Sequence, residues 1–177
     1  MKKWITIVIA LAAAWLVVFA VLHSRQSPQD DWHPPHIREA LSKTSRRTLD
    51  TSQEFVLFSI DPNRPEGTNV SQANEKFHEY PILGQVKISD PKKRSELLST
   101  LYKSVRKSPR GEDPGCFEPR HGIRAVSGTN WIELVICFEC EQVGEYGSDG
   151  YGWTLIDKSP KQIFNRALQD AGLPLAK

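Results

Sequence analysis

The side chains whose types and spacing could do chemistry are Cys116, His121, Cys137 and Cys140, gathered in the stretch CFEPRHGIRAVSGTNWIELVICFEC. Three chemistries are open to such a set. Cys137 and Cys140 stand at C-x-x-C spacing, which supports thiol redox catalysis where a helix N-terminus lowers the pKa of the attacking thiol. All four together supply zinc-type ligands. A disulfide from Cys116 needs only proximity and an oxidising compartment.

Strand geometry discriminates among them. Alternation along Trp131–Cys140 sends Ile132, Leu134, Ile136, Phe138 and Cys140 to one apolar face. Trp131, Glu133, Val135, Cys137 and Glu139 face the other way. With Gly128-Thr129 as a two-residue turn, Arg124 lies opposite Glu133, Ile123 opposite Leu134 and Ala125 opposite Ile132. Phe117 then opposes Cys140 and brings Cys116 beside it, while Cys137 opposes Arg120. The expected disulfide therefore joins Cys116 to Cys140, with Cys137 as the second choice. Closing that loop is worth about 3 kcal/mol in the chain-entropy model. A Cys137–Cys140 bond is not expected, because a regular strand rising ~3.3 Å per residue holds the two about 10 Å apart. The same alternation divides the zinc set of Cys116, His121, Cys137 and Cys140 between faces, so no metal or cofactor is expected. His121, on the core side, reads as a hydrogen-bonded structural histidine.

His78 with Glu79, and His121 with Arg120, are the other polar pairs that could serve an enzyme, and each would have to converge in a cleft. The hydrolase motifs G-x-S-x-G and H-E-x-x-H are absent, as is a Gly-rich phosphate loop. The loop DPNRPEG superficially suggests calcium, but Pro65 and Glu66 occupy the positions that need an oxygen ligand and a glycine. No catalytic residue is assigned.

The elements that position these residues read as an α+β domain. Glu54–Ile60, Tyr80–Ile88, Arg120–Val126, Trp131–Cys140, Gln142–Tyr146 and Tyr151–Ile156 have strand patterning, and Gly147-Ser148-Asp149-Gly150 supplies a hairpin turn. Asp90 can cap a helix with Pro91 at its first position, and Leu97, Leu98, Leu101 and Val105 form its apolar stripe. A final helix follows the capping box Ser159-Pro160-Lys161-Gln162, shows Ile163, Phe164, Ala167, Leu168 and Ala171 on one side, and stops at Gly172. A short, weakly patterned helix is expected from Ile37 to about Arg47. The expected architecture is an antiparallel sheet with two amphipathic helices packed on one face.

Trp4 to Leu22 (WITIVIALAAAWLVVFAVL) carries no charge. As a helix it spans about 28 Å, close to a hydrocarbon core of about 30 Å. Lys2 and Lys3 precede it, while Asp30 and Asp31 follow the lone Arg25. The positive-inside rule then exports everything after residue 22. The rival is a signal peptide cut after Ala20, although the apolar run exceeds the ~7–15 residues usual there. The expected organisation is a transmembrane anchor at 1–22, a juxtamembrane linker at 23–36 and an extracytoplasmic or periplasmic domain at 37–177. His33 and His36, beside Asp30 and Asp31, read as solvated linker residues.

The net charge of +2 comes from 23 basic and 21 acidic residues, and Lys2 and Lys3 account for the surplus. The domain itself is formally neutral, which disfavours a nucleic-acid partner. Lys92, Lys93, Arg94, Lys103, Arg106 and Lys107 read as a solvated helix face.

The segments FHEYPILG (77–84), GCFEPRHGIR (115–124), LVICFEC (134–140) and LQDAGLPLA (168–176) resemble a family of small, uncharacterised bacterial membrane-anchored proteins. Its most specific part is CF-x-PRHGIR followed by ICF-x-C, and the likeness covers roughly residues 54 to 176. The resemblance implies a bacterial envelope context and transfers no site residues.

The functional expectation is a single-pass inner-membrane protein whose domain binds or supports an envelope protein partner without catalysis. It would present an exposed aromatic patch near Trp131 or Trp153. The alternatives are a metal- or thiol-dependent module using Cys116, His121, Cys137 and Cys140, and a secreted hydrolase-like enzyme of unknown type.

Overall fold

The protein is described by a computed structural model covering residues 37–38, 40–63, 75–105 and 115–177. The expected anchor at 1–22, the linker at 23–36, most of the DPNRPEG loop, and Arg106 and Lys107 lie outside these residues. Among the described residues no helix is long and apolar enough to cross a membrane.

The strands are β1 (Ile37–Arg38), β2 (Glu54–Ile60), β3 (Lys76–Phe77), β4 (Tyr80–Lys87), β5 (His121–Ser127), β6 (Asn130–Cys137), β7 (Gln142–Gly147) and β8 (Gly150–Leu155). They form one sheet in the order β1-β8-β7-β6-β5-β2-β4-β3. Every pairing is antiparallel except that of β1, which joins β8 in parallel. The helices are α1 (Lys43–Thr51), α2 (Pro91–Ser104) and α3 (Lys161–Asp170). This is an α+β fold.

The expected β5–β6 register is the observed one: Arg124 pairs with Glu133, Ile123 with Leu134 and Ala125 with Ile132. The β7–β8 hairpin closes on Gly147 and Gly150, as the turn sequence indicates. Leu57, Ile123, Ile132, Leu134 and Ile136 then project from one face into a core with Leu97, Leu98 and Leu101 of α2 and Phe164 and Leu168 of α3. α1 adds Leu49 to that core, so three helices rather than two cover this face.

Asp90 accepts from Lys92 N at 2.8 Å with Pro91 at the helix start, as expected for α2. Gly172, at φ 72°, ends α3 while Leu173 N and Gly172 N donate to Leu168 O and Gln169 O. The capping box of α3 does not form: Pro160 occupies the cap position, no side chain caps the helix, and Ser159 N donates instead to Asp157 Oδ1. The expected Ile37–Arg47 helix is displaced to Lys43–Thr51, and Ile37 and Arg38 pair with β8 instead. Ser42 Oγ caps α1 by accepting from Ser45 N at 3.0 Å. The buried carboxylate of Glu145 completes that end, accepting from Ser42 N at 3.2 Å and Ser45 Oγ at 3.0 Å. A carboxylate is favoured there by the partial positive charge of the helix N-terminus.

Candidate functional site

The opposite face of the sheet carries different chemistry. Alternation places Val56 and Phe58 of β2, Gly122 and Arg124 of β5, and Trp131, Glu133 and Val135 of β6 on it. Gly144 and Tyr146 of β7, and Tyr151 and Trp153 of β8, continue the same surface.

The two-residue strand β3 and its turn to β4 fold over part of it. Phe77 lies on Gly122, where an added Cβ would stand 2.6 Å from Phe77 Cε1. The Phe77 ring stacks on Phe58 at 4.4 Å between centroids. Glycine at 122 therefore makes room for the ring, a use of close approach rather than of backbone freedom. The next residue, His78, sits at φ 56°, a left-handed conformation uncommon outside glycine, although histidine adopts it more often than most, as asparagine and aspartate do. Two contacts hold it there. Its ring lies 4.1 Å from that of Tyr146, and its Nε2 lies 2.9 Å from Glu133 Oε2.

Glu133 is the hinge of this arrangement. Its other oxygen accepts from Arg124 Nε at 2.6 Å. Burial works to raise the Glu133 pKa, but the bonds from His78 and Arg124 and the charge of the guanidinium outweigh it, so the carboxyl is held below its ordinary value. The Arg124 guanidinium in turn lies 5.5 Å from the Phe58 ring centroid and 5.6 Å from that of Phe77.

From Tyr146 an aromatic row runs across β7 and β8. Tyr146 and Tyr151 are 4.8 Å apart, Tyr151 meets Trp153 edge-on at 6.1 Å, and Trp153 meets Phe117 edge-on at 4.3 Å. Trp153 Nε1 donates to the Tyr151 hydroxyl. Burial, helped by Tyr151, pushes the Tyr146 phenol up, so it stays a neutral hydrogen-bonding group. At the hairpin-tip end the cover stops: Trp131 is 44% exposed and Tyr151 45%. Of the two tryptophans expected near an exposed aromatic surface, Trp131 is exposed and Trp153 is half-buried.

At the opposite end this face is sealed, which alternation alone did not indicate. Val135 is buried in a second apolar cluster with Phe58, Ile60, Phe77 and Tyr80, against which Phe117 packs, and Cys137 is buried beyond it.

The cysteines are arranged otherwise than expected. Cys137 is bonded to Cys140, with Cα atoms 5.2 Å apart, and Cys116 is free and exposed. The expected Cys116 pairings are thus corrected. The strand ends at Cys137 rather than Cys140, and Phe138–Glu141 turns back with Glu141 at φ 55°. A turn brings residues three apart within bridging distance, which an extended strand cannot do. The zinc set is not assembled either. Among the described residues no group of three or more His, Cys, Asp or Glu is placed to hold a metal ion.

His121 is the core histidine expected of it. It is 3% exposed, its Nε2 lies 2.8 Å from Asn165 Oδ1, and it meets Phe138 and Phe164 edge-on. Burial pushes its pKa down to about 4, so the ring is neutral at pH 7. Arg120 does not join it in a dyad; its guanidinium bonds Lys177 O and Glu118 O. Both line a pocket of about 330 Å³ that also holds the Glu139–Lys161 ion pair. His78 likewise meets Glu133 rather than its sequence neighbour Glu79.

No protein-family model, curated protein or solved structure matches this chain. What the arrangement can do must come from its own chemistry. The paired positions of the aromatic face hold no serine or threonine, and its one cysteine, Cys137, is oxidised. His78, tied to Glu133 and 20% exposed, faces a tyrosine ring instead of a nucleophile. A preformed surface of this kind suits binding.

Proposed function

We propose that this chain is a single-pass membrane-anchored protein of the bacterial envelope, and that its exported domain is a non-catalytic module binding an envelope protein partner through the aromatic face. The observation that carries the binding reading is the exposure of Trp131 and Tyr151 on one face, backed by the His78–Glu133–Arg124 network. Large aromatic side chains lose little entropy on binding and are enriched where partners meet. The export reading rests on the uncharged stretch Trp4–Leu22 preceded by Lys2 and Lys3. The envelope context rests on the resemblance of residues 54 to 176.

A photo-reactive amino acid placed at Trp131 in cells tests the binding reading, with one at the exposed Lys92 of α2 as control. A discrete protein adduct from position 131, with none from position 92, is the expected result. Equal adducts from both, or none from 131, would end the proposal for this face. Topology is tested separately by an alkaline phosphatase fused after Lys177, which is expected to be active. Activity only of a cytosol-dependent reporter at the same position would remove the envelope assignment.

A further inference from the structure

We propose that the groove between α1 and the β5–β6 hairpin is a saccharide site, suited to a sugar ring that carries a carboxylate. It lies apart from the aromatic face and does not depend on the binding reading.

The groove follows from helix periodicity. In α1 (KTSRRTLDT) positions 44, 47, 48 and 51 stand at i, i+3, i+4 and i+7, so they share one side of the helix. Thr44, Arg47, Thr48 and Thr51 line a cavity of about 540 Å³, and Ser127 and Asn130, paired with each other at the end of the hairpin, complete it. That volume lies within the roughly 300–1,000 Å³ of small-molecule sites.

The lining is polar throughout, with hydroxyls from three threonines and a serine, one amide and one guanidinium. One end is fixed internally: Thr51 Oγ1 donates to Arg47 O and lies 2.8 Å from Ser127 Oγ. The remainder is unspent. Among the described residues, no hydrogen bond or ion pair engages the side chains of Thr44, Arg47, Thr48 or Asn130. Thr48 is only 3% exposed, and a hydroxyl buried to that degree ordinarily has a partner.

These groups match a sugar. Ring hydroxyls donate and accept, as the threonine and serine hydroxyls and the Asn130 amide do. The threonine methyl groups meet the apolar C–H edges of the ring. Arg47 is the charged member of the lining, no acid stands among the six, and its fork suits a carboxylate. One guanidinium balances one negative charge, and the C-terminal end of α1, with its partial negative charge, opposes a second. A phosphate dianion therefore fits less well than a carboxylate.

Saturation-transfer NMR on the full-length chain in detergent tests this with D-glucuronate as the observed probe. Saturable binding is expected, with a Kd on the order of 1 mM. D-glucose, acetate and inorganic phosphate, added as competitors, should each displace it only at several-fold higher concentration than unlabelled glucuronate. Arg47→Ala should weaken glucuronate about tenfold, the worth of a charge-assisted hydrogen bond. Arg47 is exposed and alanine is a strong helix former, so this variant keeps its fold. Thr48→Val, which keeps the side-chain shape and loses the hydroxyl, should weaken binding several-fold, and Lys92→Ala on α2 should leave it unchanged. No saturable signal, an unchanged affinity in Arg47→Ala, or displacement by phosphate or acetate as effective as by glucuronate itself would overturn the proposal.

Discussion

On one side of the sheet, Leu57, Ile123, Leu134 and Ile136 are sealed by side chains from three helices. On the other, Phe58, Gly122, Glu133 and Tyr146 are covered by a two-residue strand, its turn and Phe117, and Trp131 and Tyr151 by much less. The same strands thus carry two differently built faces. The helical side buries wide apolar area, which is what holds a fold together. The aromatic side is kept in shape by individual contacts: one ring on a glycine, one ion-pair network and a row of edge-on rings. The difference teaches that the two faces are held together by different means, so that each can be perturbed with little effect on the other.

Substitutions test that separation, the largest effect first. Phe164→Ala empties a site with 0% exposure between Phe138 and His121. It should cost about 3–5 kcal/mol in urea unfolding of the solubilised chain. The acid sensitivity of His121 comes next. Its pKa is lowered in the folded state from 6.5 to about 4, so between those values the unfolded chain binds a proton that the folded chain does not. Stability should therefore fall as pH drops from about 6.5 toward 4, by up to about 3 kcal/mol, and then level off for this group. Unfolding curves of His121→Phe should lack that acid-side loss, and persistence of the full slope would place its origin elsewhere.

On the aromatic side the costs shrink. Gly122→Ala drives a methyl into the Phe77 ring and should cost about 1–3 kcal/mol, with increased solvent exposure of the β3–β4 turn by hydrogen exchange. Glu133→Gln removes the charge that His78 and Arg124 share and should cost about 1 kcal/mol, given that Arg124 is nearly half exposed. If Glu133→Gln destabilised the chain as much as Phe164→Ala, the division of labour between the faces would fail.

Much of this architecture was legible in the residues. Hydrophobic alternation together with the Arg124–Glu133 pair gave the β5–β6 register, because a one-residue slip would turn every apolar side chain to the wrong face. Asp90-Pro91 and Gly172 marked helix ends for local steric and hydrogen-bonding reasons that act whatever surrounds them. What escaped was set by tertiary contact. β1 and β3 are two residues long and carry no periodicity of their own. α1 (KTSRRTLDT) buries Ser45 and Thr48 beside Leu49, its one apolar side chain, so no apolar stripe announces it. The strand end at Cys137 depends on a turn with a left-handed Glu141, and no glycine or proline announces it in FEC. The aromatic face was visible only as single residues. Trp131 was anticipated as exposed, but His78 finds Glu133 from more than fifty positions away, and nothing local signals that meeting.

Hydroxyl-radical footprinting of Trp131 and Tyr151, in intact envelopes and in the purified full chain, asks most directly whether the aromatic face is occupied where the protein works. Both residues should be labelled readily after purification and several-fold less in the envelope, while Tyr102 on α2 reacts equally in the two. Equal labelling of Trp131 and Tyr151 in both preparations would mean that no partner covers this face.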